Sequence, residues 1–399
     1  MEMRNVVIVD GVRTPFGKMG GALRKFYMSQ LAGMTIRALV ERTGIMERGH
    51  VDSVFIGCAL GDAISNNIAR YATLYAGLPH DVTASFIEMQ CGSAIDCVNH
   101  AAWKIATGNA DVVIAGGGES YSQRFAKFSM SVEPYKLIPP TAIPNKLSPV
   151  KEEAIDMVTI SDLMAKRWNV TREECDQFAL RSQQLTQRAM ESGWLDKYIT
   201  PVVIPATKKT PEIIVNKDEH PRANCTIEQL AKLPPVNEGG VTTAGNASGR
   251  NDGASAVLLM SEEKARELGY TPIARWVGSA EAGVDPRYMG IGPAFSNVKL
   301  IKQAGIDLRD VSIFECNEAF AAQNLSVIRE MENQLGSTID MDRWNPNGGA
   351  IAYGHPNGAS GTRVTIFAMQ ELQDVKGKYA LISSCCGGGL GVSTLIERI

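Results

Sequence analysis

Cysteine, histidine and asparagine set in glycine-rich turns are the residues with which this chain could do chemistry. Cys91 follows the extended segment 83–90 and precedes Gly92, Ser93 and Ala94, small residues that let a helix begin tightly against whatever binds there. At a helix N-terminus the unpaired N–H groups and the dipole favour a thiolate, so the position predicts a nucleophilic thiol of lowered pKa. Taken alone, a cysteine is more often a small buried hydrophobe. The C-terminal third shifts that balance. NEAFA (Asn317 to Ala321), NPNGGAIAYGHPNGASG (Asn345 to Gly361) and SCCGGGLG (Ser384 to Gly391) gather polar side chains and glycines between apolar runs. Glycine is needed where backbone approaches a ligand closely. His355, between Gly354 and Pro356, sits on such a turn and can exchange protons near neutral pH. Asn317 by itself reads as a turn residue satisfying local backbone.

The eight cysteines are scattered without CxxC pairs or zinc-type Cys/His spacing, so reduced thiols and no metal site are expected. No Walker-type phosphate loop is present. A net charge of -3 leaves no basic footprint for nucleic acid or anionic lipid. No apolar run reaches the ~18 residues of a membrane span. The N-terminal stretch enters a β-branched run at Val6 to Val9 without the features of a signal peptide, and a cytoplasmic location is expected.

Positioning these residues requires elements, and β-branched runs alternate with helix-like segments: Val51 to Ile56, Asn66 to Ala76, a helix opening at Gly92, a strand at Val112 to Ala115. That alternation predicts an α/β layered fold. Two stretches about 268 residues apart, CGSAIDCVNHAAWKIATGNADVVIAGGGES from Cys91 and GASGTRVTIFAMQELQDVKGKYALISSCCGGG from Gly358, share one order of small residues, amphipathic helix, polar turn, buried strand and glycines. The reading is duplication of a whole half. Residues 120–249 differ in texture, with a Pro-rich stretch, a charged stretch and one helix opened by Thr171, Glu173 and Glu174, and are expected to be a loop-dominated insertion over the active face.

In family order and spacing, QCGSA at Cys91, NEAFA, GHPNGASG and Cys-x-Gly-Gly-Gly at Cys385 resemble the thiolase family, and VTTAGNASGRNDGASA (Val241 to Ala256) and DEHPR (Asp218 to Arg222) extend the likeness over essentially the whole chain. The resemblance implies a thiolase-like five-layer αβαβα core of two duplicated halves with an inserted loop domain. The halves would be 1–119, completed by about 250–270, and 271–399, with 120–249 as the loop domain over the coenzyme A site. By matching position Cys91 resembles the acyl-accepting nucleophile, His355 the base that activates it, and Cys385 the acid/base of the second half-reaction. A water held by Asn317 would serve the enolate, and the backbone N–H groups of Cys91 and Gly387 the tetrahedral intermediate. Arg222, Ala244, Ser248, Met157 and Phe320 are the implied contacts to coenzyme A.

The implied activity is reversible Claisen condensation of two acetyl-CoA to acetoacetyl-CoA plus CoA, with CoA and acyl-CoA as substrates and no tightly bound cofactor. Acyl transfer through a thioester explains two thiols, one to carry the acyl group and one to move the α-proton. Family resemblance also implies a homodimer or homotetramer, with the loop 122–144 as a candidate for extra contacts. A degradative 3-ketoacyl-CoA or 3-oxoadipyl-CoA thiolase would use the same residues. From a different class, a non-catalytic acyl-CoA or lipid-binding protein could keep the fold but need not keep Cys91, His355 and Cys385. The second cysteine argues against a 3-ketoacyl synthase. Departures from the family pattern are Asp156 where histidine is usual before Met157, Ala94 in the first-cysteine motif, Asn357 in the histidine loop, and Cys386 after Cys385. A small acyl group is expected, with Asp156 and Asn357 as the positions that could change it.

Overall fold

The computed structural model describes residues 3–129, 133, 135, 136 and 138–399. Its N-terminal half comprises β1 (Val6–Arg13), α1 (Met28–Thr43), β2 (Ser53–Gly57), α2 (Ile68–Ala76), β3 (Thr83–Ile87), α3 (Ser93–Ala106), β4 (Val112–Ser120) and β5 (Asn251–Ser261). Between β4 and β5 come α4 (Met157–Arg167) and α5 (Arg172–Glu191). The C-terminal half comprises β6 (Ala274–Gly283), α6 (Gly292–Ala304), β7 (Val311–Cys316), α7 (Ala321–Leu335), α8 (Asn357–Asp374), β8 (Tyr379–Cys386) and β9 (Leu390–Arg398).

The strands run in the order β7-β8-β9-β6-β1-β5-β4-β2-β3, and the halves meet where β1 pairs antiparallel with β6. Outward from that seam the same sequence of pairings recurs. β1–β5 and β5–β4 are antiparallel and β4–β2 parallel; β6–β9 and β9–β8 are antiparallel and β8–β7 parallel. This repetition is the duplication expected from the two related stretches.

Period-two alternation along the strands builds the layers. In β1, Val6 and Ile8 pack with Ile95 and Val98 of α3 and Val364 and Phe367 of α8, while Val7 and Val9 pack with Leu31 and Ile36 of α1 and Ile68 of α2. In β8, Ala380 and Ile382 join the central cluster, and Leu381 packs with Val298 of α6 and Val327 of α7. Helices α3 and α8 are thus the shared middle layer of a five-layer αβαβα arrangement, flanked by α1 and α2 outside one half and α6 and α7 outside the other.

The middle region holds more structure than a loop-dominated insertion. The cap at Thr171 forms as expected: its hydroxyl accepts from Glu174 N–H, and the Glu174 carboxylate accepts from Thr171 N–H at 2.7 Å. Helix α4 was not anticipated. It starts because Asp156 accepts the N–H groups of Val158 and Thr159, both at 3.0 Å, and because Ile160 and Met164 fall one turn apart on its buried face. Within the loop 122–144, Lys127–Ser129 pairs with Thr141–Ile143; 130–132, 134 and 137 lie outside the described residues.

A bidentate ion pair ties this region to the N-terminal half. Arg13 donates to both oxygens of Asp218 at 2.7 Å, with the two side chains 1% and 0% exposed, and Phe16 N–H donates to the same carboxylate. Removing one partner of such a pair leaves a buried charge unmatched, at a cost of about 3–5 kcal/mol. Arg13→Met is therefore expected to lower the urea midpoint sharply, and an unchanged midpoint would show that the pair contributes little.

Candidate active site

Four turns converge where α3 and α8 begin. After β3 the chain passes through Gln90, held at φ 49°, a left-handed conformation uncommon for a residue with a side chain and of the kind that gathers at active sites. Cys91 follows, and its carbonyl accepts a hydrogen bond from the Ser384 hydroxyl at 3.3 Å, so the second cysteine turn lies directly against the first. Gly92 receives the Cys386 thiol so closely that a Cβ there would stand 2.4 Å from the sulfur. Gly387 abuts Gln90: a Cβ on it would lie 3.3 Å from Gln90 Cγ. The side chain of the residue before Cys91 is therefore beside Gly387.

The other two turns hold Asn317 and His355. Asn317 N–H donates to the Ser383 carbonyl at 2.9 Å, its amide nitrogen lies 3.4 Å from His355 Nε2, and its Oδ1 is buried without a protein partner. His355 N–H donates to Asn251 Oδ1 at 3.0 Å, and its Nδ1 lies 2.6 Å from Ser360 Oγ. Because the Ser360 hydroxyl gives its own proton to the Pro356 carbonyl at 3.2 Å, it accepts from Nδ1–H, which leaves the lone pair on Nε2. Burial, reinforced by the charge of Arg363, pushes the His355 pKa down to about 3, so the ring rests neutral at working pH.

The thiols correct one expectation. Burial and then the Glu119 carboxyl push the Cys91 thiol up to about 12, so the N-terminus of α3 does not make a resting thiolate; desolvation outweighs it. Cys385 is fully buried, and burial followed by proximity to Cys91 raises its thiol well above the ordinary range. Both sulfurs rest as thiols, and each must lose its proton within the step that uses it.

The thiolase N-terminal domain family model matches residues 6–263, and the thiolase C-terminal domain model matches residues 270–398. The chain belongs to the thiolase family. It is accordingly an acyltransferase. It is 42% identical, over 100% of both chains, to the Escherichia coli K12 protein named 3-oxoadipyl-CoA/3-oxo-5,6-dehydrosuberyl-CoA thiolase. Against an acetyl-CoA acetyltransferase of Syntrophomonas wolfei it is 39% identical over 99% of this chain and 100% of that one. The crystal structure of Bacillus anthracis acetyl-CoA acetyltransferase superposes with a TM-score of 0.91 at 39% identity, covering 100% of both chains.

The residues expected to touch coenzyme A divide in two. In this thiolase Ser248 N–H donates to the Ala319 carbonyl at 3.0 Å, Ala247 bridges Phe320, and Met157 and Phe320 belong to one hydrophobic cluster, so these three lie around the turn that follows Asn317. Ala244 is exposed on the same loop, which Asp162 anchors by accepting the N–H groups of Val241 and Thr242 at 3.0 Å. Arg222 stands apart and exposed; its N–H donates to Gln183, and its guanidinium forms no ion pair among the described residues.

Asp156 and Asn357, the two departures that could change the acyl group, also resolve differently. Asp156 is the cap of α4, and although burial opposes it, the Thr159 hydroxyl and the Thr159 and Val158 N–H groups hold its carboxyl below the usual range. Its charge is thereby held at the N-terminus of its own helix. Asn357 accepts from the Tyr121 hydroxyl at 3.1 Å at the start of α8, a polar corner beside the two active-site helices. Next to Gln90 opens a cleft of about 630 Å³ lined by Leu60, Phe86, Glu88, Arg124 and Lys127.

Sequence reasoning missed Ser360 and Asn251, which orient His355, although both lie in quoted motifs. It also missed Glu119. The available signal was a carboxylate as the sole charge in the buried run VVIAGGGES.

Proposed function

We propose that this thiolase interconverts two acetyl-CoA with acetoacetyl-CoA and CoA through an acyl-Cys91 intermediate. The observation that carries the reading is a neutral His355, its Nδ1–H held by Ser360 so that Nε2 is the basic atom, in the same convergence of turns as two thiols that both rest protonated. In the first half-reaction Nε2 takes the Cys91 proton as the sulfur attacks the acetyl carbonyl and passes it to the CoA sulfur, which leaves as the thiol. The N–H groups of Cys91 and Gly387 receive the charge that develops on oxygen. In the second, Cys385 gives its own proton to His355 Nε2 and, as thiolate, removes the α-proton of acetyl-CoA; the enolate, supported by His355 and a water on Asn317, attacks acyl-Cys91, and the Cys91 sulfur released takes the proton back from His355. Reversal is thiolysis. The buried Oδ1 of Asn317 supports the water-holding role.

CoA enters this reading as substrate, with Ser248, Met157 and Phe320 along the arm, Ala244 beside them and Arg222 toward the nucleotide. The loop domain 120–249 between the halves 1–119 (with 250–270) and 271–399 would cover that site. Assembly as a homodimer or homotetramer belongs to the same proposal. It is supported by β3, an edge strand bonded only to β2, and by exposed Phe125, Phe128 and Ile143 in the loop 122–144. A cytoplasmic location is also proposed, the apolar run Val6 to Val9 being accounted for as a buried strand.

A second substrate reading, 3-oxoadipyl-CoA, is favoured by Arg124 and Lys127 in the cleft beside Gln90, where they could meet an acyl chain ending in carboxylate. The test compares kcat/KM for acetoacetyl-CoA and 3-oxoadipyl-CoA with free CoA. Acetoacetyl-CoA is expected to be cleaved at least as well. A preference of about tenfold or more for 3-oxoadipyl-CoA, reduced in Arg124→Ala, would replace the first reading with the second.

A further inference from the structure

Glu119 is fully buried near the end of β4, where its carboxylate gathers four donors from two separate segments. Cys58 Sγ at 3.1 Å, Ala59 N–H at 3.0 Å and Leu60 N–H at 3.4 Å come from the turn after β2, and Gly358 N–H at 3.2 Å comes from the first turn of α8. Helix α8 starts after Pro356, which supplies no side-chain cap, so a carboxylate from the opposite half caps it. The close approach requires glycine, since a Cβ on Gly358 would lie 2.3 Å from the Gly118 carbonyl oxygen. His355 stands three residues before the tethered N–H.

The duplication gives this contact a counterpart. With β8 matching β4 and α3 matching α8, the position equivalent to Glu119 falls on Cys386, and its thiol sits against Gly92 just ahead of α3. Each central strand therefore ends on the N-terminus of the other half's central helix, one contact behind His355 and one behind Cys91. Only the His355 side uses a charge.

We propose that Glu119 is a positioning residue for the acyl-transfer step, its carboxylate clamping the start of α8 to the turn 58–60 so that His355 stays in register with Cys91. The proposal rests on the thiolase mechanism above. Burial pushes the Glu119 carboxyl up to about 7 against the pull of its donors, and its charge in turn raises the Cys91 thiol. The titratable groups that feel its charge are Cys58 after β2, Cys91 ahead of α3 and Tyr121 beyond its own strand.

The experiment uses the full-length chain with Glu119→Gln and Glu119→Asp. It reads acetoacetyl-CoA thiolysis (kcat and KM) and the pH dependence of Cys91 alkylation by iodoacetamide, with circular dichroism as the folding control. The glutamine amide presents N–H where backbone N–H groups need an acceptor, and aspartate is too short to span both segments. Both variants are expected to lose about 10- to 100-fold in kcat with KM within about twofold of wild type. In Glu119→Gln the alkylation midpoint moves to lower pH because the neighbouring charge is gone, whereas in Glu119→Asp it stays. A purely structural role would not divide the variants in this way. A folded variant of either kind with kcat within about threefold of wild type overturns the proposal, as does an unmoved alkylation midpoint in Glu119→Gln; if that variant does not fold, Glu119→Asp decides by kcat alone. An inactive wild type would instead sink the thiolase substrate reading, and the alkylation comparison would still decide whether Glu119 acts on Cys91.

Discussion

Cys91→Ser is expected to lose acetoacetyl-CoA thiolysis by a factor on the order of 10⁴ or more in kcat, with a melting temperature close to wild type. The physical reason lies in the thiol itself. Sulfur is far more nucleophilic than a serine hydroxyl, and its thioester keeps the acyl group reactive enough to pass on. Little packing is at stake, because Cys91 is only partly buried and the contact that anchors its turn is made by its carbonyl, which a serine retains. The wild-type thiol, pushed up to about 12 by burial and Glu119, should also alkylate faster with rising pH and show no plateau near neutrality. Acid-quenched mass spectrometry after incubation with acetyl-CoA provides the direct check: acyl label on the peptide containing Cys91 in wild type, and none in Cys91→Ser. Label on any other cysteine would remove Cys91 from the mechanism.

Cys385→Ala should divide the reaction in two. The variant is expected to accept acetyl from acetyl-CoA onto Cys91 while condensation and thiolysis fall by about 10²–10⁴, the range associated with removing a general acid/base. The division follows from the site: the contacts that hold the first cysteine turn against the second come from the Ser384 hydroxyl, the Cys386 thiol and Gly387, and the alanine variant leaves all three in place. Exchange of the acetyl-CoA α-protons with deuterated solvent is a second readout. It should be lost in Cys385→Ala and kept in Cys91→Ser. Equal loss of Cys91 acylation in both variants would mean that Cys385 supports the first half-reaction as well, against the assignment made here.

Much of the candidate site is visible in the chain because its chemistry is local. Cys91, Asn317, His355 and Cys385 each sit in a short turn of small residues, and the requirement for close backbone approach leaves a compositional mark. Helix α4 carries its own signal, the capping Asp156 followed by Met157, Ile160, Leu163 and Met164 at helical spacing, and was masked by the Pro-rich and charged stretches that give the surrounding segment the texture of a loop. Ser360 was visible as a letter but not as a partner of His355, because a contact five residues apart across the turn into a helix follows from backbone direction and not from spacing.

By itself the sequence determined the duplicated α/β architecture, through period-two strands and matching helix-strand stretches, and it determined which side chains are available for acyl transfer. Tertiary structure alone decided their protonation. The expected low pKa at Cys91 came from a local rule about helix termini, but desolvation and a carboxylate 28 positions along the chain push the thiol up to about 12. The Ser360 contact that puts the lone pair on Nε2, the Arg363 charge that helps keep His355 neutral, and the Glu119 cap on α8 likewise exist only once the halves are packed. Electrostatic energies depend on distance and burial, and neither is a property of residue order.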